Sequence, residues 1–138
     1  MLAFESTGIE GITLETELLT CDEDGSRRVS NLIEQGEKYD AIIQLGLADS
    51  RKEISLERWA HNYSNFTIPD NSERMADEII IEGGPEKYQA TVSKHVLDEE
   101  FENDEDVVWS HSAGQFVCNE TIYRTLNSIE LMGGKLPA

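Results

Sequence analysis

The run Ser110-His111-Ser112-Ala113-Gly114-Gln115-Phe116-Val117-Cys118-Asn119 places a cysteine after an apolar strand pattern, a turn of small residues and the opening of a helical pattern. A thiol at such a place faces unpaired backbone N–H groups and the positive end of a helix dipole. Both favour the thiolate, the form that attacks a carbonyl carbon. Free cysteine is also among the residue types most often buried, so position alone favours an inert core thiol. A second element of matching chemistry has to decide between the two.

The elements that must hold Cys118 follow from hydrophobic periodicity. Ile12 to Leu19 alternates apolar and polar residues, the pattern of a strand with one covered face. Asp22 to Gly25 reads as a turn. Val29, Leu32 and Ile33 then recur at helical spacing, which predicts a helix from Ser26 to Gln35 closed by Gly36. Asp40 to Gly46 is nearly continuously apolar, the mark of a strand covered on both faces at the centre of a sheet. Short strands are expected at Ile54 to Ala60 and Glu78 to Ile81, and a surface helix from Val92 to Phe101. Asp106 to Ser110 supplies a further buried strand. A long helix runs from Gly114 to Met132, with Gly133-Gly134 ending it. This order of elements predicts an α/β layered domain, and 138 residues make one domain's worth of chain, 1–138.

Composition excludes several functions. The net charge is −17, with 28 acidic against 11 basic residues, and such a chain repels phosphate backbones and anionic lipid. Nucleic-acid and membrane partners are therefore not expected. The acidity fits solubility or a saline setting before any acidic-tail role. Seven acids between Asp98 and Asp106 read as a solvated helix end and loop. No apolar run has membrane-spanning length, and Met1 to Glu5 lacks the basic and apolar regions of a signal peptide, so a cytoplasmic protein is expected. With Cys21 and Cys118 far apart in such a chain, no disulfide framework is expected and Cys118 is reduced.

The second element begins at the end of the strand predicted for the sheet centre. Gly46 after a strand pattern, then Arg51, Ile54-Ser55-Leu56-Glu57-Arg58, Ala60-His61-Asn62 and Ile68-Pro69-Asp70-Asn71 resemble one signature of pyroglutamyl peptidase I, also called pyrrolidone carboxyl peptidase. Ser110 to Asn119 is similar to that family's other signature. The resemblance covers residues 38 to 126, about two-thirds of the chain. It implies a three-layer α/β/α sandwich with a mixed sheet, and a cysteine peptidase that removes an N-terminal pyroglutamyl residue from peptides without a metal or organic cofactor. Cys118 takes the place of the nucleophile and Glu57 that of the triad carboxylate. Main-chain groups at Leu47 would meet the lactam ring, and Ile68, Phe116 and Val117 would form the pocket's apolar walls. The family's dimers and tetramers imply a homo-oligomer here.

Read without the resemblance, Glu57 is an ion-pair partner for Arg51 or Arg58, and Phe116 and Val117 are the first core contacts of a helix. The chain also departs from the family pattern. The triad histidine lies in a Phe-Ile-His-Val-Pro type segment that the 138 residues do not contain, and Met1 to Gly11 lacks the Gly-Phe-Glu-Pro-Phe-Gly-Gly loop, so the sandwich is expected to be truncated at both ends. His61, His95 and His111 do not match the missing histidine, and strand geometry argues against His111 as a substitute base. Thr67 stands where the family carries an arginine, Asn65 where it carries an aspartate, and Asp49 and Trp59 also differ. These departures keep a second function in view, a catalytically inactive homologue that uses the pocket for binding or assembly.

Overall fold

The acids around position 22 begin a helix. In the computed structural model, which describes residues 9–138, the Asp22 carboxylate accepts a hydrogen bond from the Gly25 N–H at 2.9 Å and caps helix α1, Glu23–Glu34. The expected turn at Asp22 to Gly25 is thus the cap and first turn, and the helix starts three residues before Ser26. It stops as expected, with Gly36 at φ +94°. Inside the first turn a β-carbon on Gly25 would lie 1.7 Å from the Thr20 carbonyl oxygen, so only glycine fits. The segment Met1–Gly8, read above for a leader and for the family's loop, lies outside the described residues.

The strands are short and change partner as they run. Strand β1, Ile54–Glu57, pairs in parallel with β6, Val107–Ser110. At Arg58 the backbone turns between neighbours: its N–H still donates to Ser110, while its carbonyl accepts from Ala90. Strand β2, Trp59–His61, then pairs antiparallel with β5, Lys87–Gln89. The single strand expected over Ile54 to Ala60 is therefore two, split where the partner changes. Strands β3, Ser64–Asn65, and β4, Asp77–Glu78, form a small antiparallel pair, so the expected strand at Glu78 to Ile81 lies earlier and is shorter. Parallel and antiparallel pairing occur together, as in a mixed sheet.

Helix α2, Lys94–Glu100, is capped by Ser93 and stays on the surface, with Asp98 accepting from the Trp109 indole N–H at 2.6 Å. Helix α3, Val117–Leu131, carries most of the core. Tyr123, Leu126 and Ile129 pack with Ile33 of α1 and Ala60 of β2, and the Tyr123 hydroxyl donates to the Pro85 carbonyl. Ser128 donates to Glu34 and ties α3 to α1. A second cluster of Phe66, Ala76 and Val117, flanked by Cys21 and Phe116, lies at the start of α3. None of the described helices is long and apolar enough to cross a membrane.

Two expected strands are not realised. Ile12 to Leu19 joins no ladder; Ile12 makes only an isolated bridge to Ile9 around Gly11. Asp40 to Gly46 is likewise without a ladder and is covered on one face only. Ile42 packs on the core beneath α3 and Gln44 donates to Thr125, while Ile43 is 83% and Leu45 68% exposed. The continuous apolar run was expected to be enclosed. Among the described residues nothing lies over its outer face. The tail beside it is clasped from two sides, with Pro137 accepting from Ile42 and Ala138 from Val92.

An ionic network fastens the loop after β3 to α3. Asp70 accepts from the backbone of Ser72 and Arg74 and from the Arg74 side chain; Arg74 in turn grips the buried Glu120 carboxylate with two bonds of 3.1 and 2.8 Å. The Arg74 guanidinium also lies 5.0 Å from the Phe66 ring centroid. Burial alone would raise the Asp70 carboxyl, yet the hydrogen bonds and charge of Arg74 hold it below the usual range. Asp22 is lowered chiefly by the Gly25 N–H.

Gly25→Ala would gain helix propensity of about 1 kcal/mol, but the clash with a backbone oxygen outweighs it; overpacking of this kind costs about 1–3 kcal/mol or more, so a net loss of stability is expected in urea melts. An unchanged or higher midpoint would show that the α1 entry is not tightly packed. Because Asp70 has a lower pKa folded than unfolded, its contribution is complete above about pH 4 and disappears as pH falls through the folded value. The wild-type advantage over Asp70→Asn should therefore shrink in thermal melts taken from pH 6 down to pH 2, the difference cancelling the general relief of acidic repulsion. A constant difference would show that the carboxylate charge of Asp70 does not contribute.

Candidate active site

Cys118 is the second residue of α3 and is exposed. Phe116 occupies the N-cap without a side-chain hydrogen bond, so no cap takes up the N–H groups of the first turn. The sulfur borders the end of the Asp40 to Gly46 segment: a β-carbon on Gly46 would be 3.5 Å from Sγ, ordinary contact. Leu47, one residue further, is 88% exposed. Glu57 and Ser110, the carboxyl ends of the parallel pair β1 and β6, lie where strands in α/β folds carry ligands, and Gly46 ends the segment beside the sulfur.

Glu57 is the last residue of β1 and is paired in register with Ser110 of β6. Its Oε1 accepts from Arg51 Nη1 at 2.5 Å, whereas its Oε2 is buried with no hydrogen-bond partner among the described residues. The ion pair with Arg51 considered from sequence is therefore formed, and it is half-buried. Arg58, the other candidate partner, instead lies between the Trp59 and Trp109 rings, 5.8 Å from each centroid. Arg51 does a second task through Nη2, which donates to the Ser112 carbonyl at 3.0 Å. One guanidinium therefore joins the carboxylate to the loop that leads to Cys118.

That loop is ordered by its own small polar residues. Ser110 Oγ donates to the Ser112 carbonyl, Ser112 Oγ accepts from the Gly114 N–H, and Gly114 takes φ +80°. The Gln115 carbonyl accepts from Asn65 of β3. Beyond it, Phe116 meets Phe66 edge to face at 4.7 Å, and Val117 is buried in the cluster beneath. The bland reading of Val117 as a core contact is correct for its side chain, while Phe116 is half-buried and spans core and surface. Ile68 is 61% exposed, with Asp70 of the same motif turned into the ionic network.

Cys21 packs against the Phe66 cluster, and burial pushes its thiol up, with the neighbouring Cys118 and acids adding to this. His61 and His111 are joined by a long contact from His61 Nε2 to the His111 carbonyl at 3.4 Å, and His95 reaches Glu99. Among the described residues no imidazole bonds Glu57 or Cys118, and no cluster of His, Cys, Asp and Glu is arranged to hold a metal. Two open clefts, one of about 250 Å³ between α2 and β6 and one beside Arg74, are not lined by Cys118 or Glu57.

Sequence reasoning missed Arg74, Glu120, Phe66 and the dual grip of Arg51. Arg51 stands in the first motif, and the acid at position 120 is visible two residues after Cys118; Arg74 carries no local signal. Asn119 belongs to the second motif, and its position there assigns it no task.

Comparison with known proteins agrees with this geometry. The family model for pyroglutamyl peptidase matches residues 5–136. Pyrrolidone-carboxylate peptidase of Thermococcus kodakarensis is 33% identical over 127 residues, which is 91% of this chain and 62% of the relative. The Pyrococcus furiosus enzyme of the same name is 37% identical over 92 residues, 65% of this chain and 44% of its own. The crystal structure of pyrrolidone carboxyl peptidase from Fervidobacterium islandicum superposes with a TM-score of 0.84 at 28% identity, over 96% of this chain and 64% of that one. The chain thus spans less than two-thirds of the length of these relatives, and its α/β/α layering with a mixed sheet is theirs. Taken with the two motifs and the site they form, the match establishes that this chain belongs to the pyroglutamyl peptidase family.

Proposed function

We propose that this chain carries the nucleophile and carboxylate of a cysteine peptidase that hydrolyses the N-terminal pyroglutamyl residue from peptides. The observation that carries the reading is the linked pair: Cys118 at the uncapped start of α3, and Glu57 joined through Arg51 to the loop before it. In this reading Cys118 Sγ attacks the carbonyl carbon of the pyroglutamyl–peptide bond, forming an S–C bond and an oxyanion. The Cys118 backbone N–H, free of a side-chain cap, donates to that oxyanion. Collapse breaks the C–N bond, the amine leaves with a proton, and water hydrolyses the thioester.

The proton has to travel through an imidazole. Glu57 Oε2, buried and without a partner among the described residues, is a fitting acceptor for the N–H of such a ring, and would fix its tautomer and orientation. His61, His95 and His111 are engaged or placed elsewhere. For the substrate, the main chain at Leu47 and the apolar side chains of Ile68, Phe116 and Val117 suit a flat, uncharged lactam, since such sites combine apolar walls with a few fixed polar groups. Neither metal nor organic cofactor enters the scheme. In this reading residues 1–138 belong to one domain, the protein acts in the cytoplasm, and its copies assemble as a homo-oligomer.

Thr67, in the place of an arginine, favours a second reading in which the pocket binds a pyroglutamyl peptide without cleaving it. A fluorogenic pyroglutamyl amide separates them. With imidazole added to the buffer to take the place of the ring this reading requires, hydrolysis is expected, abolished by Cys118→Ala and lowered about a hundredfold to ten-thousandfold by Glu57→Gln. Binding of the amide by calorimetry with no release of fluorophore would overturn the peptidase reading in favour of the second. Release that survives Cys118→Ala would overturn the assigned nucleophile.

A further inference from the structure

Asn119 follows Cys118 directly and is fully buried. Its Oδ1 accepts from the His61 N–H at 2.9 Å, and its Nδ2 donates to the carbonyls of His61 at 2.8 Å and Tyr63 at 3.3 Å. A carboxamide presents the same donor and acceptor as a peptide unit, so Asn119 pairs with the end of β2 as another strand would. The other fastening of a helix start is absent here. Phe116 makes no capping bond, and a cap of the usual kind contributes about 1 kcal/mol.

A side-chain cap would also occupy first-turn N–H groups. Asn119 holds the same turn from inside the protein and leaves those groups alone. Glu120, the next residue, secures the turn a second time through Arg74. The nucleophile thus sits on an open helix end whose rigidity comes from the two residues after it.

Resting on the reading of Cys118 as nucleophile, we propose that Asn119 is its positioning residue: the amide bonds to β2 keep Cys118 Sγ against Gly46 and the first-turn N–H groups directed outward. The residue type follows from the partners. Aspartate matches asparagine in shape but offers no donor at neutral pH and sets a carboxylate against two carbonyl oxygens. Alanine offers nothing. Both should release the turn, and the isosteric change should help no more than the truncation.

The test reads the thiol and not the peptidase reaction, so absence of hydrolysis in the reporter assay would leave it intact. Iodoacetamide rates at Cys118 and Cys21 are measured by peptide mass spectrometry in wild type, Asn119→Ala, Asn119→Asp and Tyr88→Phe, with thermal midpoints alongside. Tyr88→Phe removes a 2.8 Å hydrogen bond to Asn127 near the far end of α3 and serves as the structural control. Both Asn119 variants should slow Cys118 about tenfold, the loss expected when a helix start is unfastened, with Cys21 unchanged and Tyr88→Phe at the wild-type Cys118 rate. Wild-type rates in the Asn119 variants, or parallel changes at Cys118 and Cys21, would overturn the proposal. Should neither Asn119 variant fold, hydrogen exchange in the wild type decides: the Glu120 amide, bonded to the Phe116 carbonyl, should exchange as slowly as mid-helix amides, and loop-like exchange would overturn it.

Discussion

A helix start left without a side-chain cap has two opposed demands placed on it: its amide groups stay unpaired, and its backbone must not fray. In α3 the demands are met by different residues. Phe116 leaves the first turn uncapped, while Asn119 bonds the edge of β2 and Glu120 bonds Arg74. The rest of the candidate site depends on that fastening. Without it the Cys118 sulfur has no reason to stay beside Gly46, and the aromatic pair of Phe66 and Phe116 loses one of its members' anchors.

The cations make the same point from the side of charge. A chain of net charge −17 has few positive groups to place, and two of them sit at this end of the fold. Arg74 is surrounded by Asp70, Glu120 and, at 3.7 Å, Glu23. Arg51 is shared between the Glu57 carboxylate and the Ser112 carbonyl. Each bridges segments distant in sequence, so each fixes a loop that has no regular structure of its own. The buried, unpartnered Oε2 of Glu57 is the one point in this arrangement where a strong acceptor faces nothing among the described residues, and unpaired groups of that kind are costly enough to mark a place of function.

The outer face of the Asp40 to Gly46 segment shows how burial depends on more than the segment itself. Its composition is that of a strand enclosed on both sides, and the side facing α3 is enclosed, through Ile42 and Gln44. Ile43 and Leu45 are as apolar and remain exposed. Relatives that superpose on nearly all of this chain extend over about a third more of their own length. Apolar character records a preference for cover, and the neighbours decide whether cover is present.

Local pattern by itself determined the kinds of element and the chemistry-bearing positions. The stripe through Phe116, Val117, Ile122, Leu126 and Ile129 marked α3, the small residues before it marked a turn, and the two motifs placed Cys118 and Glu57 in one family. Those features are legible because periodicity, turn chemistry and motif spacing act over a few residues. The tertiary structure alone decided which residues meet: Arg51 with Ser112 across 61 positions, Asn119 with His61 across 58, and Arg74 with Glu120 across 46. It also moved the α1 start to Asp22 and split the strand at Arg58, where pairing passes from β6 to the chain beyond β5. A hydrogen bond or ion pair between distant residues has no periodic signature, since either partner could bond water or another side chain, and only the packing of the intervening chain brings the two within reach.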